Sequence, residues 1–198
     1  MKLTKDKLRS LIQEVVTEKR KNSIILSESM EQPPMEEEGL PTSPTFERIM
    51  NILLGQEPSV RTVVIMSGQN PMAEETESAK NGMLAKKLEA ALSSMGLEFI
   101  PIGGKFSGHD EDSVVILNPT REQAQQLNRS FKQWGYVWGQ DMPNFQMIKI
   151  NHDQPQGEEM DPNSKIATTV DASAKVQQAV DNYSFDIASG RKFVISLY

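Results

Sequence analysis

Between Thr62 and Trp138 the sequence alternates between short runs rich in β-branched residues and longer amphipathic stretches. The short runs predict strands at 62–67, 97–102, 113–117 and 136–138, and the amphipathic stretches predict helices at 78–95 and from 120 onward. This order, β-α-β-β-α-β, is that of the split βαβ or ferredoxin-like arrangement. We therefore predict an α/β sandwich of the α+β class, with further strands at 145–150 and 193–197 extending the sheet.

Two segments with few core-forming residues divide the chain. Residues 1–26 read as an amphipathic helical leader, and 27–45 as an acidic, proline-rich flexible linker. The remaining residues, 46–198, are expected to form the α/β domain, with its core at 60–150 and a C-terminal extension at 151–198. A short helix is expected from Pro44 to Leu54.

Composition excludes several classes of function. The chain has 27 acidic and 21 basic residues, a net charge of −6, which disfavours general nucleic-acid binding. It has no cysteine, so disulfides, thiolate metal sites and cysteine nucleophiles are excluded. There is no membrane-spanning apolar run and no secretory signal. We expect a protein of the (host) cytoplasm or of a virion, without a cofactor.

The first candidate site is the turn Ser67–Pro71, which follows the first predicted strand. Ligands commonly bind where strand ends and helix N-termini converge, and Gln69 and Asn70 offer amide donors and acceptors there. The alternative is an ordinary strand-to-helix turn, for which Gly, Asn and Pro are typical. Acidic residues at 74, 75 and 77 disfavour a phosphate ligand.

The second candidate is the segment 103–113, predicted to be a turn-rich loop that contains His109 beside three acidic residues. A histidine next to carboxylates is able to act as a general base, but no spacing here matches a metal-ligand motif, and no metal is expected. The alternative is a solvated hairpin loop. If the segment is functional, Glu111 and Ser113 are the better candidates because they adjoin the third strand.

The third candidate is a group of aromatic residues at 131–138. Phe131 and Trp134 stand at helical spacing and are expected to be core, whereas Trp138 is expected to be half exposed. Stacking of nucleobases on these rings is the alternative. No nucleophile elbow, P-loop or dinucleotide fingerprint is present, so the sequence favours a non-enzymatic role.

The stretch from Val63 to about Gln140 resembles a bacterial and phage family known only as a domain of unknown function. The matching residues are Asn70-Pro71, Asn81, Gly104 with Gly108, Glu111 with Ser113, and Phe131 with Gln133. This chain departs from the family pattern where Asp112 separates the acid from the serine, and Lys132 separates Phe131 from Gln133. The resemblance implies candidate ligand-binding positions at Asn70, Asn81, Gly104, Gly108, Glu111, Ser113 and Gln133, but no activity.

The opening residues are similar to the N-termini of many proteins of large tailed phages. Such leaders act as capsid-targeting sequences that a prohead protease cuts after a hydrophobic-x-Glu triplet, which Ile12-Gln13-Glu14 fits. The apolar stripe expected to bind a partner consists of Leu8, Leu11, Ile12 and Val15. The alternatives are docking on the chain's own domain and, less favoured without Trp or Phe, binding at a membrane surface.

Two hypotheses follow. The preferred one is a non-enzymatic accessory or virion-associated protein of a tailed phage that docks to a protein partner through residues 1–21. The other is a small-molecule or nucleotide-binding domain, with enzymatic activity left open, whose polar pocket at the sheet edge is formed by the candidate residues named above.

Overall fold

The computed structural model of the protein describes its central and C-terminal parts. The described residues are 42–106, 109–152, 158–159, 166–167, 170–173, 176 and 182–195. The predicted leader at 1–26 and the linker up to residue 41 lie outside them. None of the helices within these ranges is long and apolar enough to cross a membrane.

The helices are Pro44–Leu53 (α1), Ser78–Ser94 (α2) and Arg121–Phe131 (α3). The strands are Thr62–Ser67 (β1), Phe99–Phe106 (β2), His109–Leu117 (β3), Gly135–Gln140 (β4), Phe145–Asn151 (β5), Glu158–Glu159 (β6), Ile166–Ala167 (β7), Val170–Asp171 (β8), Tyr183–Phe185 (β9) and Lys192–Ile195 (β10). A short 3-10 turn, Pro71–Ala73, follows β1.

The four central strands have the order β4-β1-β3-β2, and every neighbouring pair is antiparallel. Helix α2 connects β1 to β2, and α3 connects β3 to β4. This is the split βαβ arrangement that the sequence predicts. Strand β5 extends the sheet beyond β4, and β9 and β10 extend it beyond β2.

Apolar side chains cover both faces of the sheet. On one face, Val64 and Val114 pack with Leu88 and Leu92 of α2 and with the buried residues of α3. On the other face, side chains such as Val63 and Val115 pack with the buried residues of α1, which are Phe46, Ile49, Ile52 and Leu53. Because successive residues of a strand point to opposite faces, β1 contributes to both cores.

The prediction that Gly103 and Gly104 begin a loop is wrong. Both glycines lie inside β2, which pairs with β3 as far as Phe106. Strand β9 pairs with the same part of β2, and the ring of Phe185 occupies the space where a Cβ of Gly103 would stand. Glycine here therefore accommodates a neighbouring aromatic ring rather than a turn.

The predicted exposures of two tryptophans are also wrong. Trp134 is 45% exposed, whereas Trp138 is 9% exposed. Helix α3 ends at Phe131 because Lys132 has left-handed backbone angles, so Trp134 does not continue the buried face of the helix. Trp138 lies within β4, and the guanidinium of Arg121 stands 4.8 Å from the centre of its ring.

Candidate functional site

The first residues of the turn that follows β1 are hydrogen-bonded to, or packed against, neighbouring elements. The Ser67 hydroxyl donates to the carbonyl of Asp112 at 2.9 Å and accepts the backbone N–H of Gln69, also at 2.9 Å. At Gly68 a Cβ would lie 3.0 Å from the carbonyl oxygen of Leu84 in α2. Glycine therefore allows this helix to pack closely against the turn.

Gln69 joins the turn to β3 through both ends of its amide. Its Nε2 donates to Oδ2 of Asp112 at 2.8 Å, and its Oε1 accepts the backbone N–H of Asp112 at 3.0 Å. The carbonyl of Gln69 accepts a hydrogen bond of 2.7 Å from Nε2 of Gln133, just before β4. Gln69 and Gln133 are both buried. These bonds hold together the ends of three neighbouring strands.

Asn70 is the centre of a second group of hydrogen bonds. Its backbone is left-handed, with φ of 46°, a conformation that asparagine tolerates better than most residues. Its Nδ2 donates to Oε1 of Glu111 at 2.8 Å, and its Oδ1 accepts from Nδ2 of Asn81 at 2.8 Å and from the N–H of Thr76 at 3.1 Å. The N–H of Asn70 donates to Oδ1 of Asn81 at 3.0 Å. The amide of Asn70 therefore orients the Glu111 carboxyl group.

Glu111 is half-buried, and burial raises the pKa of its carboxyl group. The hydrogen bond from Asn70 and the nearby imidazole of His109 lower this pKa, but burial outweighs them. Within the described ranges, Oε1 of Glu111 accepts the hydrogen bond from Asn70 and Oε2 accepts none. A carboxyl group of this kind can accept a charged donor or hold a proton.

A polar cleft of about 800 Å³ opens beside this network. Its walls carry the amides of Gln69, Asn70 and Asn81, and five carboxyl groups, those of Glu75, Glu77, Asp110, Glu111 and Asp112. His109, Gly104 and Phe185 also line it. Across the part of the chain that the structure describes, no three His, Asp or Glu side chains are grouped so that they could hold a metal ion.

A second concavity of about 470 Å³, the apolar pocket, lies beside the polar cleft and shares Asn70 and Glu111 with it. The wall of the apolar pocket is formed mainly by Ile65, Met66, Met72, Trp134, Tyr136, Val137 and Met147. Polar groups enter it from Ser113 and Gln133. The two concavities therefore meet at the hydrogen-bonded pair of Asn70 and Glu111.

The structure brings most of the predicted residues together, but around two concavities rather than one. Asn70, Asn81, Gly104 and Glu111 line the polar cleft, whereas Ser113 and Gln133 line the apolar pocket. Glu111 lines both concavities, and Ser113, two positions further along β3 and on the same face of the strand, lines the apolar pocket alone. Gly108 and the leader residues Leu8, Leu11, Ile12 and Val15 lie outside the described residues.

The ligand-binding residues predicted from the sequence do not include Thr76, Asp112, Trp134 or Met147, although Asp112 lies in the second candidate segment and Trp134 in the third candidate group. The local signal for Asp112 is its place beside Glu111 in the acidic run of the second candidate segment. Trp134 reads as core at helical spacing, and only the left-handed Lys132 shows otherwise. No local signal identifies Met147, which reaches the pocket because β5 pairs with β4.

Comparison with known protein families gives a match to the part of the chain that contains these residues. A family model described as "Protein of unknown function (DUF3293)" matches residues 66–134, which is less than half of the chain. The match contains every candidate ligand-binding residue predicted above, from Asn70 to Gln133. No curated protein matches the chain.

Among solved structures, the chain is similar to a phage SAM lyase in complex with S-methyl-5'-thioadenosine. The identity is 17% and the TM-score is 0.26, over 56% of this chain and 91% of that chain.

Proposed function

We propose that the domain binds a small, positively charged organic molecule in the polar cleft. The observation that carries this proposal is Glu111, whose carboxyl group is held by Asn70 through one oxygen while the other faces no hydrogen-bond donor of the described residues. A charged donor on a ligand would complete the hydrogen bonding of this half-buried group.

The charge of the cleft supports a cationic ligand. Five carboxyl groups line it, and no lysine or arginine of the described ranges does. Like charges in a concave site repel an anion and raise the local concentration of cations. A volume of about 800 Å³ is within the range typical of sites for organic ligands.

The hydrogen-bond network supports a site that is already formed. Gln69, Asn70 and Asn81 use both ends of their side-chain amides within the protein, so their positions are fixed. A ligand then meets oriented groups and loses less free energy in ordering them.

Calorimetric titration with 1,4-diaminobutane, against succinate as an anion of similar length, tests the proposal. We expect the diamine to bind and succinate not to bind. Glu111→Gln should weaken diamine binding about tenfold or more, since a hydrogen bond to a charged group is lost. The matched control is Glu89→Gln on helix α2, outside both concavities. Absence of diamine binding, or equal binding by Glu111→Gln, would contradict the proposal.

The leader supports a separate proposal, which rests on the sequence. We propose that Leu8, Leu11, Ile12 and Val15 bind a protein partner, as in a virion-associated accessory protein of a tailed phage. Deleting residues 1–26 should abolish association with the partner and leave the melting temperature of the domain nearly unchanged. A large fall in melting temperature would instead assign the leader to the folded core.

A further inference from the structure

The apolar pocket is lined by a serine, Ser113, whose residue surface is almost fully buried. Ser113 is 3% exposed and lines the pocket, and its hydroxyl makes no hydrogen bond within the described residues. A serine hydroxyl is able both to donate and to accept a hydrogen bond, so a ligand group in the pocket has a polar partner in Ser113.

The rest of the pocket suits a flat apolar group. Ile65 and Val137 of the sheet form part of its wall, together with Met147 and the ring of Trp134. Methionine side chains adapt to the shape of a ligand, and tryptophan offers a large rigid surface. The volume of about 470 Å³ fits a bicyclic ring with a short substituent.

The two concavities share Glu111 and Asn70. A ligand whose positive charge is bound at Glu111 therefore has the apolar pocket within reach of its remaining atoms. A simple alkyl diamine would leave this pocket and the Ser113 hydroxyl unused. An uncharged ring would occupy the pocket but leave the carboxyl group without a counter-charge.

From this juxtaposition we infer that the ligand is an arylalkylamine, with its ammonium group at Glu111 and its aromatic ring in the apolar pocket beside Trp134. A hydrogen-bonding atom on the ring, such as an indole N–H, bonds to the Ser113 hydroxyl. This inference rests on the proposed function, because it adds a ring to the cation already assigned to the polar cleft.

Titration of the full chain with tryptamine, 1,4-diaminobutane and indole-3-acetate tests the inference. Tryptamine should bind at least about tenfold more tightly than the diamine, the gain typical of burying an apolar group of this size. Indole-3-acetate carries the same ring with the opposite charge and should bind at least tenfold more weakly than tryptamine.

Variants assign the ring to the pocket. Trp134→Ala and Ser113→Ala should each weaken tryptamine binding about threefold to tenfold and leave diamine binding unchanged. Leu54→Ala removes a similarly exposed apolar side chain outside both concavities and should change neither affinity. Melting temperatures of all variants show whether each is folded.

The outcomes separate the two proposals. If the diamine binds and tryptamine binds no more tightly, the proposal of an arylalkylamine ligand is wrong, while the proposal of a cation site in the polar cleft is retained. Tryptamine binding that is unchanged in both pocket variants overturns the arylalkylamine proposal as well. If neither amine binds, both proposals fail together.

Discussion

At Glu111, burial and hydrogen bonding act on one carboxyl group in opposite directions. Burial favours the neutral acid, whereas the N–H donated by Asn70 favours the ion, and the net effect raises the pKa of Glu111. Because the folded state binds the proton of Glu111 more tightly than the unfolded chain does, protonation of Glu111 stabilises the fold. This stabilisation is complete below the pKa of Glu111 in the unfolded chain and is lost as the pH rises through its pKa in the folded state. Above the folded-state pKa, the charge on Glu111 therefore destabilises the fold relative to the neutral acid.

We accordingly expect Glu111→Gln to raise the melting temperature at pH 7 while it weakens binding of the diamine. Glutamine keeps an oxygen that accepts the N–H of Asn70 but carries no charge. The difference in melting temperature should shrink as the pH falls toward the ordinary glutamate pKa of about 4.3. Thermal unfolding of both proteins at pH 4 and pH 7 measures it. A variant less stable than the parent at pH 7 would show that the charge supports the fold.

At the scale of elements, helix α1 is hydrogen-bonded to the turn between β9 and β10 through the carboxyl group of Asp186. Ser43 caps α1 by accepting the N–H of Phe46 and also donates its hydroxyl to Asp186 at 2.6 Å. Burial alone would raise the pKa of Asp186, but the hydroxyls of Ser189 and Ser43 and backbone N–H groups outweigh burial and lower it. This stabilisation is present above the ordinary pKa and is lost as the pH falls through the folded-state pKa.

Replacing Asp186 with asparagine should lower the free energy of unfolding at pH 7 by about 1–3 kcal/mol, since hydrogen bonds to a charged acceptor are lost. Urea denaturation at pH 7 and at pH 3.5 measures the effect, which should be smaller at the lower pH. Asp141→Asn, in the exposed turn after β4, serves as the matched control and should change stability little. An Asp186→Asn variant as stable as the parent at pH 7 would contradict this account.

For the whole molecule, the C-terminal strands and the central core share one sheet, in which β9 pairs with β2. Phe185 and Gly103 face each other at this junction, where a ring occupies the space of a missing Cβ. The same ring also lines the polar cleft. The extension at the C-terminus therefore contributes both to the packing of the sheet and to the wall of the candidate site.

A methyl group at Gly103 should therefore destabilise the protein by about 1–3 kcal/mol, the usual cost of overpacking. The same substitution in a Phe185→Ala background should cost much less, because the clash is gone. Gly82→Ala in α2 is the control: a Cβ there meets nothing within 4 Å, and alanine should stabilise the helix by about 0.5–1 kcal/mol. Equal costs of Gly103→Ala in both backgrounds would show that β9 does not pack there.

The features that could be predicted from the sequence are those set by nearby residues. The β-branched run of β1 acts within a few positions. So does the capping box of α3, in which the side chains of Thr120 and Gln123 each accept the other's backbone N–H, and the structure contains both features. The need for glycine at position 103 of β2 comes from Phe185, which is distant in sequence and gives no local signal. Asn70 and Glu111 lie close together because the end of β1 and the beginning of β3 are at the same edge of the sheet. Their hydrogen bond also depends on where β3 begins, which the sequence does not show.

The turn between β1 and α2 has its backbone N–H groups bonded to side chains and carbonyls from other elements. The N–H groups of Gln69, Asn70 and Met72 bond to Ser67, Asn81 and Lys132 respectively. Hydrogen–deuterium exchange at these three amides should consequently be as slow as in the central strands, although they belong to a connecting segment. The segment therefore loses little conformational entropy when a ligand binds. The residence time of the ligand would then be set by the contacts that it makes rather than by closure of a loop.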